Sequence, residues 1–358
     1  MLFQLYPFIY CDIIKENIVL YNSLTKDIKV SHVEKPVSLV KPNAIVIEET
    51  EANRVFIEQL GKGYWGIIDN DNPANWDLLI DYPFELKNYY FQFFSAEWEH
   101  QYVAKKFIRK VIVNLSARSD ILACRIKGNT DTYLMTEDIL YPLWEHISEI
   151  ENLDAVVFNI TLTDYLSYKE YLPYLQRAQV NVIIHSFNEL CLKNITQIIH
   201  KHQNMSILVL INNLNDYMLL RQCNLLGNKH IRIGVSPNSV IKDLELLLEY
   251  GVDDVLKSSL SVYDAIRNEW YNTLFWGNLY INAYGNIMMN EKDSIGNLAN
   301  WSNIQFNKLL SDSSFWRMSR IKHETCKECF YRNLCPPISE IEIYTQRNFC
   351  VMGKMKMV

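Results

Sequence analysis

The sequence predicts an α/β protein whose central part, residues 105–275, folds as a partial (β/α) barrel. Five apolar runs that are typical of buried strands begin at Val111, Ala155, Val180, Met205 and Ile231. The last four starts lie 25, 25 and 26 residues apart, which is the length of one strand and one helix. Because the runs are almost continuously apolar, we expect parallel strands that are buried on both faces. Regular units of this kind with short connections favour a barrel over a sandwich.

The chain is predicted to divide into three domains. With 358 residues, 49% of them hydrophobic, it is long enough to bury a large core. Residues 1–104 are predicted to form a small α+β domain ahead of the barrel. Its predicted elements are a hairpin of Asn17–Tyr21 and Ile28–Val33, a strand at Ala44–Glu48 and a helix at Ala52–Leu60.

The run Gly61-Lys-Gly-Tyr-Trp-Gly66 matches GxGxxG, the spacing of dinucleotide-binding loops. That fingerprint requires a strand before the glycines and a helix after them. Here a predicted helix comes before the glycines and a predicted strand at Gly66–Asp69 follows them, so we interpret the run as a helix C-cap and a turn. The chain has only 11 glycines, about 3% against an ordinary ~7%, which also argues against glycine-rich phosphate loops.

Charge and composition exclude several classes of function. The net charge is −6 and the pI is near 5.8, so we expect no binding to nucleic acid or to an anionic membrane surface. The apolar N-terminus lacks a basic leading region and soon meets Asp12, Lys15 and Glu16, which is atypical of a secretory signal. No apolar run approaches ~18 residues, so no membrane-spanning helix is expected. These features predict a cytoplasmic protein.

Residues 276–358 are predicted to form the third domain, which carries the clearest motif of the chain. The domain opens with a predicted hairpin, Asn278–Ile281 and Ile287–Met289, that turns at Gly285. One or two short helices are expected between residues 303 and 320. Four of the eight cysteines then follow with the spacing C-x2-C-x5-C-x14-C. They are Cys326, Cys329, Cys335 and Cys350.

The spacing of these four cysteines leaves three interpretations open. Reduced, unligated thiols are the simplest of them. In a reducing cytosol, however, clustered cysteines are more often metal ligands than disulfides. Thiolates suit both a tetrahedral zinc ion and a [4Fe–4S] cluster. The sequence therefore predicts a metal site here without deciding between zinc and iron–sulfur.

The order of these features resembles the radical SAM enzymes that carry a SPASM domain. In those enzymes a βα partial barrel is followed by a hairpin and a CxxCx5C segment. The tail Cys326-Lys-Glu-Cys-Phe-Tyr-Arg-Asn-Leu-Cys335 carries the most specific part of the resemblance. Such enzymes modify ribosomally made peptides or proteins, and their SPASM domain holds two auxiliary [4Fe–4S] clusters. The resemblance implies a radical-SAM-type barrel and a SPASM-like domain in which the four late cysteines hold the outer cluster.

The ligands of the other clusters are missing from the chain. Radical SAM enzymes bind SAM through a CxxxCxxC triplet after the first barrel strand, but Val111–Ser116 is followed by the single Cys124. Phe158–Asp164 lacks the GGE-like segment that holds the amino group of SAM. Asn290 and Ser339 stand where the SPASM pattern places cysteines of the inner auxiliary cluster. The resemblance therefore implies one [4Fe–4S] cluster, or one zinc ion in its place, and no SAM.

The chain lacks these ligands and carries the sequence LYNSLT (Leu20–Thr25) near its start. In both respects it resembles the pseudo-radical-SAM proteins of Bacteroidales peptide-modification systems. The resemblance implies a catalytically degenerate protein that binds a ribosomal precursor peptide, a partner peptide-modifying enzyme, or both. By analogy with related maturases, the hairpin within Asn17–Val33 is a candidate peptide-recognition module. The alternatives are an iron–sulfur redox enzyme or electron carrier that uses the surviving cluster, and a βα-barrel hydrolase with a zinc knuckle.

No catalytic residue is identified from the sequence. His185 ends a predicted strand at the mouth of the barrel, where active residues lie in such folds. We interpret it as a hydrogen-bonded structural histidine rather than as an acid/base partner of Asp164. The aromatic run Tyr89–Phe94, with Trp98 and Tyr102, is interpreted as core rather than as a peptide-docking surface. The remaining cysteines are interpreted as buried, inert thiols: Cys11, Cys124, Cys191 and Cys223.

Overall fold

The computed structural model describes residues 2–33, 38–41, 44–69, 100–120, 132–167, 178–185, 195, 205–236, 239, 244, 247–249, 255 and 260–350. Two small sheets near the N-terminus come before a larger main sheet, and the cysteine segment, residues 320–350, follows it. The predictions for Cys124, for Cys191 and for the aromatic run Tyr89–Phe94 with Trp98 lie outside the described residues.

The first 69 residues form two antiparallel sheets. One has the order β5–β6–β1–β7 and the other the order β2–β3–β4. The predicted hairpin is confirmed as β3 and β4, and β2 pairs with the other edge of β3. The strands are β1 (Leu2–Leu5), β2 (Ile9–Ile14), β3 (Asn17–Asn22), β4 (Ile28–His32), β5 (Ser38–Lys41), β6 (Ala44–Val46) and β7 (Gly66–Asp69).

Helix α1 (Glu51–Lys62) confirms the predicted helix and explains the glycine run. The helix begins after Thr50, whose side chain accepts from the N–H of Asn53 at 3.2 Å. It continues through Gly61 and is capped at Gly63, and β7 follows, as the interpretation of a C-cap and turn predicted. Gly66 is required by close packing, since a Cβ there would lie 2.1 Å from the carbonyl oxygen of Gln4.

The three-stranded sheet β2–β3–β4 packs on both of its faces. Alternate residues of β2 point to opposite sides, as in any strand. Ile9 and Cys11 join the N-terminal core, together with residues of β1, β6 and α1. Tyr10, with Tyr21 of β3, packs instead against Val255, against residues 260–266 and against Leu334 and Cys335 of the cysteine segment. The sheet is therefore a layer between the N-terminal core and the cysteine segment.

The main sheet confirms the parallel strands that the apolar runs predict. Its order is β12–β11–β10–β9–β8–β13–β14–β15, in which neighbours from β12 to β13 are parallel and the last three strands are antiparallel. The strands are β8 (Lys110–Asn114), β9 (Ala155–Thr161), β10 (Gln179–Ile184), β11 (Met205–Ile211), β12 (Ile231–Val235), β13 (Asn278–Ile281), β14 (Asn286–Met288) and β15 (Ser294–Asn297).

One face of the main sheet packs against helices and forms the largest core. Val111 and Val113 of β8 are fully buried with Leu140 and Leu143 of the helix that follows. No helix within the described residues is both long and apolar enough to cross a membrane. The remaining helices are α2 (His100–Phe107), α3 (Glu137–Ile147), α4 (Leu162–Ser167), α5 (Leu214–Gln222), α6 (Val262–Trp270) and α7 (Glu340–Thr345).

The predicted C-terminal hairpin is confirmed as β13 and β14, which turn at Gly285 with a φ of +78°. Because β13 pairs with β8, this hairpin extends the main sheet. The short helices predicted after it are 3-10 turns, and their aromatic residues Phe306, Phe315 and Trp316 are buried in the main core. These turns are Leu298–Asn303, Phe306–Leu310, Phe315–Arg317 and Arg320–Lys322.

Candidate functional site

The four C-terminal cysteines lie in one region of the fold as free thiols. Cys326 and Cys329 share a turn in which the N–H of Cys329 donates to the carbonyl oxygen of Cys326 at 2.9 Å. Cys326, Cys335 and Cys350 are buried, and Cys329 is half-buried. The fold thus removes most of the thiol surface from water.

The thiols also lie within electrostatic reach of one another. Burial raises the pKa of Cys335, and the charges of the other three cysteines raise it further against the opposing charge of Arg320. Burial likewise raises the pKa of Cys329, with a further contribution from the charges of Cys326 and Cys350. Thiolates this close repel each other unless a positive centre lies among them.

Cys326 is the thiol whose ionised form the surroundings favour. Burial opposes ionisation, but a hydrogen bond with His323 and the charge of Arg320 outweigh it and lower the pKa of Cys326. The side-chain amide of Asn348 donates to its Sγ at 3.1 Å, and Nη1 of Arg320 approaches the Sγ to 3.9 Å. Since the thiolate is the form that binds metals, the surroundings of Cys326 favour the form that acts as a ligand.

Arg320 organises the whole cysteine segment from a buried position. Its guanidinium pairs with the Glu342 carboxylate at 3.1–3.2 Å, and both side chains are buried. The same guanidinium donates to the carbonyl oxygens of Pro336 at 2.5 Å and Pro337 at 3.4 Å. One cation therefore joins the turn that carries Cys326, the proline segment after Cys335 and helix α7.

The donor set fits a thiolate-bound metal group chemically. Four cysteines are the ligands that structural zinc ions and [4Fe–4S] clusters use, and the Arg320 charge offsets part of their negative charge. The described residues contain no set of three or more His, Cys, Asp or Glu side chains arranged to hold a metal ion. The four thiols thus share a neighbourhood without forming the ligating arrangement of a single ion.

Two positions that the SPASM resemblance assigns to missing cysteines carry side chains with structural roles. The Asn290 side chain is buried and accepts from the N–H groups of Lys292 and Asp293 at 2.9 and 2.8 Å. Ser339 is the N-cap of α7 and forms a capping box with Glu342, whose carboxylate accepts from the N–H of Ser339 at 2.9 Å. Each residue stabilises a local turn or helix start.

The segment after β8, where the resemblance places the SAM-cluster cysteines, begins with a compact 3-10 turn at Ala117–Ser119. Ser119 Oγ donates to the carbonyl oxygen of Ser116 at 2.7 Å, and both residues are buried. Arg118 extends from this turn to Asp164, with 2.5 Å between Nη2 and Oδ1. The Asp164 carboxylate also accepts from Thr161 Oγ1 at 2.6 Å. Residues 116–120 are therefore held firmly against the end of β9.

His185 and Asp164 are brought to the same turn but do not contact each other directly. His185 Nε2 lies 2.7 Å from the backbone oxygen of Arg118, whereas Asp164 binds the Arg118 side chain. The histidine is hydrogen-bonded, as its structural interpretation predicts. Burial lowers the pKa of His185, and the Arg118 charge adds to this effect, while the hydrogen bond and Asp164 oppose it.

The isolated cysteines within the described residues differ in burial. Cys11 is buried in the N-terminal core, in agreement with the interpretation as an inert thiol. Cys223 is only half-buried, at the end of α5, so the expectation of full burial is wrong for it. Cys223 is the C-cap of α5, and its N–H donates to the carbonyl oxygen of Leu219. A residue at a helix end is packed on fewer sides than one inside the helix, which explains the difference.

A second feature is a cavity of about 490 Å³ against the face of the main sheet opposite the helices. We call it the sheet cavity, and all six parallel strands contribute to its wall. Asparagines in register on neighbouring strands form a ladder, in which Asn181 donates to Asn159 and Asn159 donates to Asn114, each at 2.9 Å. Ser206 on β11 donates to Asn181 and completes the ladder. The cavity is lined by Lys110, Ile112, Asn114, Ser119, Asp120, Val157, Asn159, Asn181, Ile183, Leu208, Leu210, Arg232, Ile233, Gly234, Val235, Leu274, Phe275, Asn278, Tyr280, Ser339, Glu340 and Ile341.

A polar network joins the N-terminal sheet to the loop between Cys329 and Cys335. Asp12 on β2 accepts two hydrogen bonds from the Arg332 guanidinium at 3.0 and 3.1 Å. Asn333 donates to Asp12 at 2.9 Å and to the Tyr10 hydroxyl at 2.7 Å, and that hydroxyl donates to Glu269 at 2.6 Å. The cysteine loop is thus bound directly to the first residues of the chain.

Sequence reasoning missed Arg320, Asn348 and the lining of the sheet cavity. Arg320 is one of many scattered basic residues, and no local pattern distinguishes it from the others. The asparagine ladder left a weak signal, because Asn114, Asn159 and Asn181 are polar residues inside apolar strands. A buried polar residue needs a partner, so these positions predict pairing across strands. The partners could not be assigned without the strand register.

Solved structures with low similarity to this chain include two of one protein. No protein-family model and no curated protein matches the chain. The chain is similar to Streptococcus suis SuiB bound to its precursor peptide SuiA, with 10% identity over 93% of this chain and 94% of that chain and a TM-score of 0.36. SuiB bound to S-adenosylmethionine gives 11% identity over 94% of each chain and a TM-score of 0.33. Similarity at this level does not establish a shared fold or activity.

Replacing Glu342 by glutamine should destabilise the protein strongly. The substitution keeps a capping side chain for α7 but leaves the Arg320 charge buried without a counter-charge, which costs about 3–5 kcal/mol. Urea denaturation of Glu342→Gln against the wild type measures this loss. The matched control is Asp312→Asn, an exposed carboxylate paired with Lys322, for which we expect at most about 1 kcal/mol. Similar small losses for both variants would show that the Arg320 pair is not buried in solution.

The burial of His185 predicts a pH-dependent contribution to stability. Its pKa is lowered in the folded state, so the unfolded chain binds more protons as the pH falls below about 6.5. The stabilisation by His185 is therefore present above pH 6.5 and is lost as the pH falls through the folded pKa. His185→Asn should cost about 1 kcal/mol at pH 8, where its hydrogen bond is lost, and less at pH 5.5. A difference between variant and wild type that is constant or larger at pH 5.5 contradicts this assignment.

Proposed function

We propose that this chain is a catalytically degenerate, radical-SAM-like protein that acts in the cytoplasmic maturation of a ribosomally made peptide. The main observation is a contrast between two groups of sequence positions: those that the resemblance assigns to SAM chemistry and the inner cluster, and those that it assigns to the outer cluster. Where the resemblance requires ligands for SAM chemistry or for an inner cluster, the chain has residues such as Asn290 and Ser339 that make structural hydrogen bonds. Where it requires ligands for an outer cluster, four free thiols share one region.

The arrangement of the main sheet supports this proposal. Six parallel strands line one cavity, which supports the proposed partial barrel, and β13 brings the start of the C-terminal part beside β8. At the end of β8, residues 116–120 form a closed turn that is fixed by the pair of Arg118 and Asp164. A turn packed in this way is consistent with a protein that does not carry out SAM cleavage.

In the proposed C-terminal site, Cys326, Cys329, Cys335 and Cys350 hold one [4Fe–4S] cluster, with a zinc ion as the alternative. Such a group supplies a positive centre that crosslinks the cysteine segment. Arg320 and Asn348 stabilise the Cys326 thiolate, and Arg332 and Asn333 attach the loop to β2. We propose that the group is structural and that it fixes the orientation of the N-terminal sheet.

The proposed partner is the precursor peptide, a peptide-modifying enzyme, or both, and β4 offers a surface for a peptide. Among the described strands, none pairs with the outer edge of β4. The N–H of Val33 donates to the carbonyl oxygen of Glu16 at 2.8 Å, so alternate residues of β4 bond to β3. By the same alternation, Val30 and His32 direct their N–H groups outward. An extended peptide can pair with these groups as an additional strand.

Metal analysis of protein purified without oxygen tests the non-enzymatic role and the site together. We expect iron and sulfide, or zinc, bound to the wild type, and no production of deoxyadenosine from SAM under reducing conditions. Cys326→Ser should lose most of the metal and unfold at a lower temperature, because the group stabilises the segment. The matched control Cys223→Ser changes a half-buried cysteine outside the cysteine segment and should keep both the metal and the melting temperature.

Reductive cleavage of SAM would falsify the degenerate role. A wild type without metal, or an unchanged melting temperature in Cys326→Ser, rejects a structural metal site. A bound cluster whose reduction potential allows reversible electron transfer to a protein partner favours the redox alternative.

The edge of β4 is tested by a proline substitution. Val30→Pro removes an outward N–H without removing a hydrogen bond to β3, and Val30→Ala is the matched control. We expect Val30→Pro to bind the precursor peptide about 10-fold more weakly, and Val30→Ala to bind like the wild type. Fluorescence anisotropy of the labelled peptide measures the affinities, with melting temperatures as a check on folding. Equal affinity in a folded Val30→Pro variant places the peptide elsewhere.

A further inference from the structure

The sheet cavity has the size and the lining of a small-molecule site. Its volume of about 490 Å³ lies in the range of roughly 300–1,000 Å³ that is usual for ligand pockets. One part of the wall is apolar, with Ile183, Leu208, Leu210 and Phe275. The asparagine ladder crosses the same wall. A surface of this composition suits a compact molecule that has both an apolar and a polar part.

The ladder leaves unused hydrogen-bond donors. Each amide group has two N–H donors, and Asn159 and Asn181 each use one of them on the next asparagine. Asn114 ends the ladder, so neither of its N–H groups is used within it. The ladder therefore offers more donors than acceptors to a molecule in the cavity.

Two cations stand in the same cavity near the beginnings of their strands. Lys110 is the first residue of β8 and Arg232 is the second residue of β12. Neither side chain makes a hydrogen bond or an ion pair within the described part of the chain. Burial lowers the pKa of Lys110, and the Arg232 charge lowers it further, so the two cations are close enough to affect each other.

Glu340 of α7 faces both cations across the cavity. Burial among protein atoms raises the pKa of Glu340, and the nearby charge of Asp120 raises it further, whereas the Arg232 and Lys110 charges lower it. Its carboxylate makes no direct ion pair with either cation in the described residues. Glu340 and Asp120 therefore share the lining of the cavity with the two cations, and any anion that binds there meets both signs of charge.

From this geometry we infer that the sheet cavity binds a small organic anion, with its carboxylate or phosphate between Lys110 and Arg232. The remaining acceptors of the ligand take the free N–H groups of the asparagine ladder, and its apolar part packs on Leu208 and Leu210. Glu340 limits the affinity, because its negative charge faces the anion. This binding site is independent of the proposed peptide and metal sites, and no covalent step is involved.

Substitutions of the two cations, Lys110 and Arg232, and of Glu340 should change the affinity for anions in opposite directions. Removing either cation should weaken anion binding by about 10-fold or more, because a charged hydrogen bond to a partly buried anion is lost. Removing the charge of Glu340 should strengthen binding several-fold. Non-specific binding by surface charge predicts changes of similar size for charged residues outside the cavity, so effects confined to the cavity residues identify the site.

Isothermal titration of the full chain with citrate and, separately, with inorganic phosphate tests the inference. The variants are Lys110→Met, Arg232→Gln and Glu340→Gln. The matched control Lys308→Gln removes an exposed cation that lies outside the cavity. We expect saturable binding of at least one probe by the wild type, weaker binding after either cation is removed, and tighter binding by Glu340→Gln. The probe with the higher affinity shows whether carboxylate or phosphate is preferred.

Three results overturn the inference. The first is the absence of saturable binding of both probes by the wild type and by Glu340→Gln at millimolar concentrations. The second is an equal weakening by Lys308→Gln, which indicates binding by surface charge. The third is unchanged affinity in a Lys110→Met or Arg232→Gln variant whose melting temperature shows that it is folded.

Discussion

The buried pair of Arg320 and Glu342 is the interaction on which the C-terminal part of the structure depends. The cysteine segment contains short turns and a single six-residue helix, so its own backbone hydrogen bonds hold it only locally. Arg320 supplies the connections between these pieces, from the Cys326 turn to the Pro336 carbonyl and to α7. A buried guanidinium is costly unless its donors have partners, so the loss of one partner destabilises the segment.

The same segment also depends on the N-terminus of the chain. Asp12 and Tyr10 bind Arg332 and Asn333, which lie between two of the cysteines. The contact joins residues more than 300 positions apart, so it links the ordering of two distant parts of the chain. Ordering of the cysteine loop therefore favours docking of the sheet β2–β3–β4, and docking favours ordering by the same free energy. Any group that the thiols bind gains from this coupling.

Much of the fold follows from local sequence patterns, and much of the site does not. The apolar runs at Val111 and Ala155, the hairpin at Gly285 and the helix before Gly61 are set by periodicity and turn chemistry, which act over a few residues. The asparagine ladder depends on strand register. Asn114 is the fourth residue of its apolar run, Asn159 the fifth and Asn181 the second, and only the register places them side by side. The partners of Arg320 depend on tertiary packing of irregular turns. Such long-range relations leave no periodic signal in a single sequence.

The positions that the SPASM resemblance assigns to cluster ligands carry side chains that satisfy local backbone groups. Buried backbone N–H groups need hydrogen-bond partners. Asn290 and Ser339 meet that requirement, since each side chain accepts backbone N–H groups of its own turn or helix start. Arg118 and Asp164 play the corresponding part after β8. In the proposed function, such hydrogen bonds maintain the scaffold of a protein that binds a peptide without SAM chemistry.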